Sequence, residues 1–214
     1  MSDFPARGPH VGRFVTLEPM DAARDATKLY AISHESDQSK AIFTYLQRGP
    51  YENEERMRDF LLAWCADPAV VAFTVHDNAS SALVGTVSLM NIRAEHGVLE
   101  IGNVWYAPTS QRTKTNTESV FLLLKHAFDG LGYRRIEWKC DVRNRPSGQA
   151  ALRLGFTYEG IFRKHMIIRN ANRDSAWYSM IDDEWPARRE ALSRWLYIDD
   201  TTPLSEVHPN RLPY

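Results

Sequence analysis

The run Gln111-Arg112-Thr113-Lys114-Thr115-Asn116-Thr117-Glu118 is where residue type and spacing first suggest chemistry. It is polar, carries two cations in Arg112 and Lys114, and leads into Val120, Phe121, Leu124, Ala127, Phe128 and Leu131, which share one face at helical spacing. A helix that begins here exposes first-turn N–H groups with no intrahelical acceptor, together with the positive end of its dipole, and that combination suits a diphosphate. The same residues also read as an ordinary helix start: Thr115 and Glu118 have the Ser/Thr-x-x-Glu spacing of a capping box. Other chemistries find less support. The seven histidines form no His-x-x-x-His pair and no cluster with carboxylates, so no metal is expected. No Gly-x-Ser-x-Gly elbow or pair of catalytic carboxylates is present.

Composition narrows the setting. The chain has 214 residues, 43% of them hydrophobic and 25% charged, enough to bury a sizeable core. Lys and Arg number 26 against 27 Asp and Glu, so a net charge of -1 gives no global field for nucleic acid or anionic lipid. Two cysteines, Cys65 and Cys140, are too few for a disulfide framework and suit a reducing compartment. The amino terminus has no apolar h-region and no stretch approaches the ~20 apolar residues of a membrane span, so a cytoplasmic protein is expected. Monomer and homodimer both stay open.

The elements that must hold the polar run in place follow from periodicity. Strand character is expected over 13–17, 70–75, 83–90 and 98–106, the last three joined by connections too short for crossovers and therefore an antiparallel meander. Helices are expected from Asp21 to Ser33 and behind a cap at Asn53, with the aromatic loop 44–51 between them. The clearest helix runs from Thr117 to Leu131 and stops at Gly132. Next come a strand in which Ile136, Trp138, Cys140 and Val142 alternate with charged residues, a short helix over 144–154, and a hairpin of 156–168 and 175–181 around the turn-rich hexapeptide 169–174. A last helix opens at Trp185-Pro186. The organisation expected is an extension over 1–12, one domain over 13–196, and a tail over 197–214 that docks as a strap or stays mobile.

This order of elements resembles the GNAT acetyltransferase superfamily, and more closely its ribosomal-protein-alanine acetyltransferase branch, from about residue 12 to 196. Four motifs carry the resemblance: Glu100-Ile101-Gly102 with Trp105-Tyr106; Gln111 to Glu118; Asp141 to Ser147 with Ala150 to Phe156; and Glu159 to His165. It implies an α/β (α+β) fold: a mixed, mostly antiparallel sheet of about seven strands flanked by helices, splayed between the fourth and fifth strands. It implies acetyl-CoA as cosubstrate, with no metal. The diphosphate would lie on Gln111, Arg112, Thr113, Lys114, Thr115, Asn116 and Thr117, and the pantetheine arm along the strand at Val104, Trp105 and Tyr106. Asn144 matches a polar residue near that arm, with Ser147 one turn on, although Asn144 also reads as a plain helix cap. Lys114 and Asn116 stand where family members usually carry glycine.

The activity implied is direct attack of a primary amine, a protein amino terminus or a small amine, on the thioester. Glu100 matches the position of a family carboxylate and is the expected base, a solvated strand-end glutamate being the plainer reading. A bulge near Val104 or Trp105 would free an N–H for the oxyanion. The tyrosine that many relatives use as the acid is replaced by Ala151, which leaves Ser147 as candidate. Tyr45 and Trp105 could wall the acceptor cleft. The competing expectation is a non-catalytic CoA-binding sensor or interaction module with a degenerate site.

Overall fold

The computed structural model describes residues 2–207. Eight strands form one sheet: β1 (His10–Val11), β2 (Val15–Pro19), β3 (Val71–Asp77), β4 (Leu83–Arg93), β5 (Val98–Tyr106), β6 (Arg135–Asp141), β7 (Thr157–Ile168) and β8 (Ala171–Ile181). Their spatial order is β1-β2-β3-β4-β5-β6-β8-β7, every pair antiparallel except β5 with β6. The mixed, mostly antiparallel sheet expected from the sequence is therefore present, with β1 as an additional two-residue edge strand. The helices are α1 (Ala22–His34), α2 (Asp37–Lys40), α3 (Glu54–Ala66), α4 (Lys114–Lys125), α5 (Arg145–Arg153), α6 (Trp185–Tyr197) and α7 (Leu204–Val207).

Alternation along the strands builds two cores. On one face Val15, Leu17, Phe73, Val87, Leu99, Ile101, Ile136 and Trp138 pack against Val120, Leu123 and Leu124 of α4, with Leu152 of α5 and Leu192 and Leu196 of α6. On the other, Ala72, Leu83 and Trp105 meet Ala26 and Leu29 of α1 and Met57 and Leu61 of α3. Complete burial of each such Leu or Phe contributes about 1.5–3 kcal/mol, so the sheet's middle strands are held from both sides. The cap foreseen at Asn53 is in place, accepting from the N–H of Arg56, and Asp21, expected as the first helical residue, is instead the cap of α1, accepting from the N–H groups of Ala23 and Arg24.

Three local readings are corrected. The cap of α4 is Thr113, not Thr115: the Thr113 hydroxyl accepts from Thr115 N–H at 3.2 Å. Glu118 does not close a capping box. It is fully buried and accepts from the N–H groups of Arg13 at 2.9 Å, Phe14 at 2.6 Å and Val15 at 2.7 Å, which ties the helix to the start of β2. The pull of three backbone donors outweighs local capping. α4 starts at Lys114, three residues before the expected start at Thr117, and its far end widens into a π-helical turn over His126–Gly130. The turn between β7 and β8 is two residues, Arg169 and Asn170, both at positive φ of 51° and 60°. That conformation matches strand twist and makes a longer loop unnecessary.

The tail beyond α6 docks as far as it is described. Leu204 is buried, and Trp195 Nε1 donates to the Thr202 carbonyl at 3.1 Å. The last seven residues of the expected tail lie outside the described residues.

Candidate functional site

Parallel pairing of β5 with β6 is confined to Val98–Arg135, Leu99–Ile136 and Glu100–Glu137. Beyond Glu100 the strands part, and β5 runs on to Tyr106 with its β6-side edge unpaired. The other edge of β5 is irregular at the same level. Thr86 of β4 faces Trp105 and Ser88 faces Gly102, so Asn103 and Val104 together oppose Val87. Asn103 adopts φ of 50°, a conformation asparagine tolerates better than most residues, and its carbonyl accepts from the Thr86 hydroxyl at 3.0 Å. The bulge turns the backbone at Val104, within the stretch of β5 that β6 no longer pairs.

At the far end of the gap lies the start of α4. Gln111 Nε2 donates to the Tyr106 carbonyl at 3.0 Å and pins the loop to the end of β5. Arg112 is left-handed, with φ of 60°, and is exposed. Arg153 at the end of α5 reaches across to Thr117 Oγ1 at 2.7 Å and Asn116 Oδ1 at 3.0 Å, so α4 and α5 are joined beside the first turn. Lys114 turns away from this seat. Its ammonium pairs with Asp200 at 2.9 Å, donates to the Leu196 carbonyl at 3.2 Å, and stands over the rings of Phe14 and Trp195.

The face of the sheet opposite α4 carries the polar side chains. Glu100 is only 5% exposed. Its Oε2 accepts from Asn91 Nδ2 at 2.6 Å and pairs with Lys139 Nζ at 2.6 Å. Burial pushes the Glu100 carboxyl above its ordinary range, and Lys139 and Asn91 oppose the shift. The Lys139 ammonium also lies 4.2 Å from the centroid of Trp177. His165 of β7 meets the Ser175 hydroxyl at 2.9 Å, and burial together with Lys139 and Arg173 holds its imidazole below the usual value.

Tyr45 is half-buried on the loop after α2, electrostatically close to Arg143 at the end of β6. Trp105 is 6% exposed and packs against Phe43, so it backs this loop. The β7–β8 turn closes onto the same loop: the Arg169 guanidinium donates to the carbonyls of Phe43 at 3.0 Å, Leu46 at 3.1 Å and Gly49.

On the α4 face, Asn144 caps α5 by accepting from Ser147 N–H at 3.2 Å. The Ser147 hydroxyl accepts from Trp138 Nε1 at 3.0 Å and lies beside Cys140, whose thiol burial pushes up to about 11. Ala151 is fully buried. The structure thus brings Glu100, the bulge at Val104, the end of β5 and the first turn of α4 around one gap, and directs Lys114 elsewhere. Sequence reasoning missed Lys139, Asn91, Arg169 and Arg173. The only signal was the charged phase of the Ile136-to-Val142 alternation, whose partners across the gap depend on tertiary placement.

With this geometry in view, comparison with known proteins is direct. Residues 15–157 match the family model described as acetyltransferase (GNAT) domain. The crystal structure of a GCN5-related N-acetyltransferase from Brucella melitensis is 36% identical, superposes with a TM-score of 0.92, and covers 98% of this chain and 97% of that one. The ribosomal-protein-serine acetyltransferase of Escherichia coli (strain K12) is 31% identical over 101 residues, 47% of this chain and 56% of that one. The Microcin C7 self immunity acetyltransferase MccE, solved in complex with acetyl-CoA and AMP, shares the fold at 22% identity and a TM-score of 0.70, covering 79% of this chain and 93% of that one. A gap opening in mid-sheet beside a bulge and a helix start, in a chain that matches this family over most of its length, leads to one assignment: the protein belongs to the GNAT family of N-acetyltransferases.

Proposed function

We propose that this chain moves an acetyl group from acetyl-CoA to a primary amine by direct attack within a ternary complex. The observation that carries the reading is the parting of β5 from β6 immediately after Glu100, level with the bulge at Asn103 and Val104. An unpaired strand edge can accept and donate backbone hydrogen bonds to an extended, amide-bearing arm, which is what pantetheine is. Val104, Trp105 and Tyr106 would line that arm. The loop Gln111, Arg112 and Thr113 together with the first turn of α4 at Lys114, Thr115, Asn116 and Thr117 would hold the diphosphate through backbone N–H groups and the exposed Arg112, with Asn144 and Ser147 on the other side. That MccE shares this fold and was solved with acetyl-CoA supports the choice of cosubstrate.

Acetyl-CoA supplies an activated acyl group. Glu100 takes the proton of the attacking amine, directly or through a water, because burial raises its carboxyl above the ordinary range and so makes it a stronger base. The N–H of Val104 or Trp105 stabilises the oxyanion, and the Ser147 hydroxyl assists departure of the thiolate, which needs little help at a thiol pKa near 8.5. Tyr45 and Trp105 form the wall of the acceptor cleft. An α-amine of pKa about 7.7–8.0 is substantially neutral at pH 7.5, whereas deprotonating a lysine near 10.4 costs about 4 kcal/mol, so an α-amine asks less of Glu100. Free cysteines and a balanced charge suit a cytoplasmic enzyme.

Lys114 engaged by Asp200, and Ala151 in place of a tyrosine acid, favour a second reading in which the chain binds CoA without turnover. Titration calorimetry with acetyl-CoA followed by thiol-release assays on an amine panel separates the two. Binding with release on at least one amine supports the enzyme; binding without release on any selects the sensor; no binding at millimolar acetyl-CoA discards both.

A further inference from the structure

Arg173 lies on β8 in the same alternation phase as Ser175 and Trp177, hence on the face that carries Glu100 and Lys139. It is 8% exposed, yet among the described residues its guanidinium makes no hydrogen bond and no ion pair, and its Nε is buried without an acceptor. Leaving a buried charged donor unsatisfied costs several kcal/mol, so a ligand that supplies the acceptor is the economical explanation. The neighbouring acids are already engaged. Asp141 is held by Arg143 at 2.7 Å, and Asp174 accepts from Lys164 N–H at 2.6 Å and Asn172 Nδ2 at 2.8 Å.

The other charged groups on this face sharpen the point. Lys139 is matched by Glu100, while Glu137 is shared among Arg93, Arg135 and Lys139. Burial lowers the His165 value, with Lys139 and Arg173 close by adding to the shift. Toward the Arg173 end the carboxylate on this face is Asp141, electrostatically close to Arg173 but bonded to Arg143 at 2.7 Å. A second buried donor on this face, Trp177 Nε1 at the Lys139 level, is likewise without an acceptor. Both vacant groups donate, so what they select is oxygen, and a guanidinium selects an oxyanion.

We propose that Arg173 seats an anionic group, a carboxylate or a phosphate, carried by the acceptor, so that the amine acetylated here belongs to a molecule with an oxyanion at its other end. The assignment rests on the acetyl-transfer reading for the amine and on Arg173 alone for the anion. Arg173 and Lys139 lie on adjacent strands, with Lys139 level with Trp177, four residues or about 13 Å along β8 from Arg173. Amine and anion are thus separated by several bonds, which favours an ω-amino acid or a short acidic peptide over a compact zwitterion.

The test compares ω-amino carboxylates and ω-aminoalkyl phosphates of graded length with alkylamines of the same length, in the wild-type protein and in Arg173→Gln and Arg173→Lys. The expected result is a preference for the anionic member of each pair, with KM for it raised roughly 10- to 100-fold in Arg173→Gln, the range of one charged hydrogen bond, while kcat and the values for the neutral amine stay put. Carboxylate and phosphate arms identify which oxyanion fits. Equal use of anionic and neutral partners by the wild type overturns the proposal without touching the acetyl-transfer reading. A second measurement needs no turnover: the Arg173 Nε–H resonance, assigned by its loss in Arg173→Lys, should shift saturably when the wild type with CoA bound is titrated with an amino carboxylate or aminoalkyl phosphate. No shift with either compound sinks the anion seat, whether or not any amine is acetylated.

Discussion

Lys139 Nζ stands 2.6 Å from Glu100 Oε2, just beyond the last rung at which β5 and β6 remain paired. The pair sits where the sheet opens, and it sets the charge state of the carboxylate proposed as base. Burial works to protonate Glu100 and Lys139 works to ionise it, with burial the larger effect.

Glu100→Gln is accordingly expected to lower kcat by about 10²- to 10⁴-fold, the usual contribution of a general base, with little change in acetyl-CoA affinity. The wild-type rate should fall as pH drops through the raised Glu100 value. Lys139→Met removes the influence that ionises Glu100, so the acid limb of the pH–rate profile should move to higher pH. A limb that stays in place in Lys139→Met, or persists in Glu100→Gln, excludes Glu100 as the base.

Replacing Arg112, the exposed cation beside the first turn of α4, by Glu places a negative charge at the proposed diphosphate seat. Acetyl-CoA affinity should weaken by roughly tenfold, equivalent to about 1.4 kcal/mol, and the loss should shrink as salt is added. Calorimetry that gives the same Kd for both proteins would place the diphosphate elsewhere.

Glu118 offers a stability prediction with no catalytic component. Glu118→Gln swaps one acceptor oxygen for an NH2 group facing backbone donors, and should cost about 3 kcal/mol by denaturant unfolding. An unchanged midpoint would show that residues 13–15 find other acceptors.

The two histidines at the π-helical turn predict acid sensitivity. The rings of His10 and His126 lie 4.6 Å apart, each with a buried Nε2 lacking a partner. Burial, then the His126 charge, lowers the His10 value from 6.5 to about 4, and burial lowers that of His126. Between those values the unfolded chain binds the proton more readily. Stability is therefore complete above about pH 6.5 and is lost as pH falls toward 4. Urea midpoints at pH 7 and pH 5 should differ less in His10→Gln than in the wild type; identical differences would rule the pair out.

The sheet was legible in the sequence because alternation, caps and short connections are local signals. Asn53 caps the helix it was expected to cap. Thr115 with Glu118 misled for a physical reason: a capping box and a glutamate serving a distant strand have the same spacing, and burial decides between them. The β7–β8 turn was read as six residues because Asn172, Arg173 and Asp174 look like turn residues, although they continue the strand. The polar lining of the gap was the least legible part. Lys139 meets Glu100 across 39 positions of sequence and a parallel crossover, and nothing in either segment alone announces the other.

Arg169 grips main-chain oxygens and no side chain of the loop it fastens. A carbonyl is there whatever residue follows or precedes it, so Tyr45 and Gln47 can be exchanged without unlatching the roof of the cleft. If the chain acetylates an amine as proposed, acceptor preference can drift through such exchanges while the frame that presents the amine stays in register, a separation of tailoring from architecture built into one guanidinium.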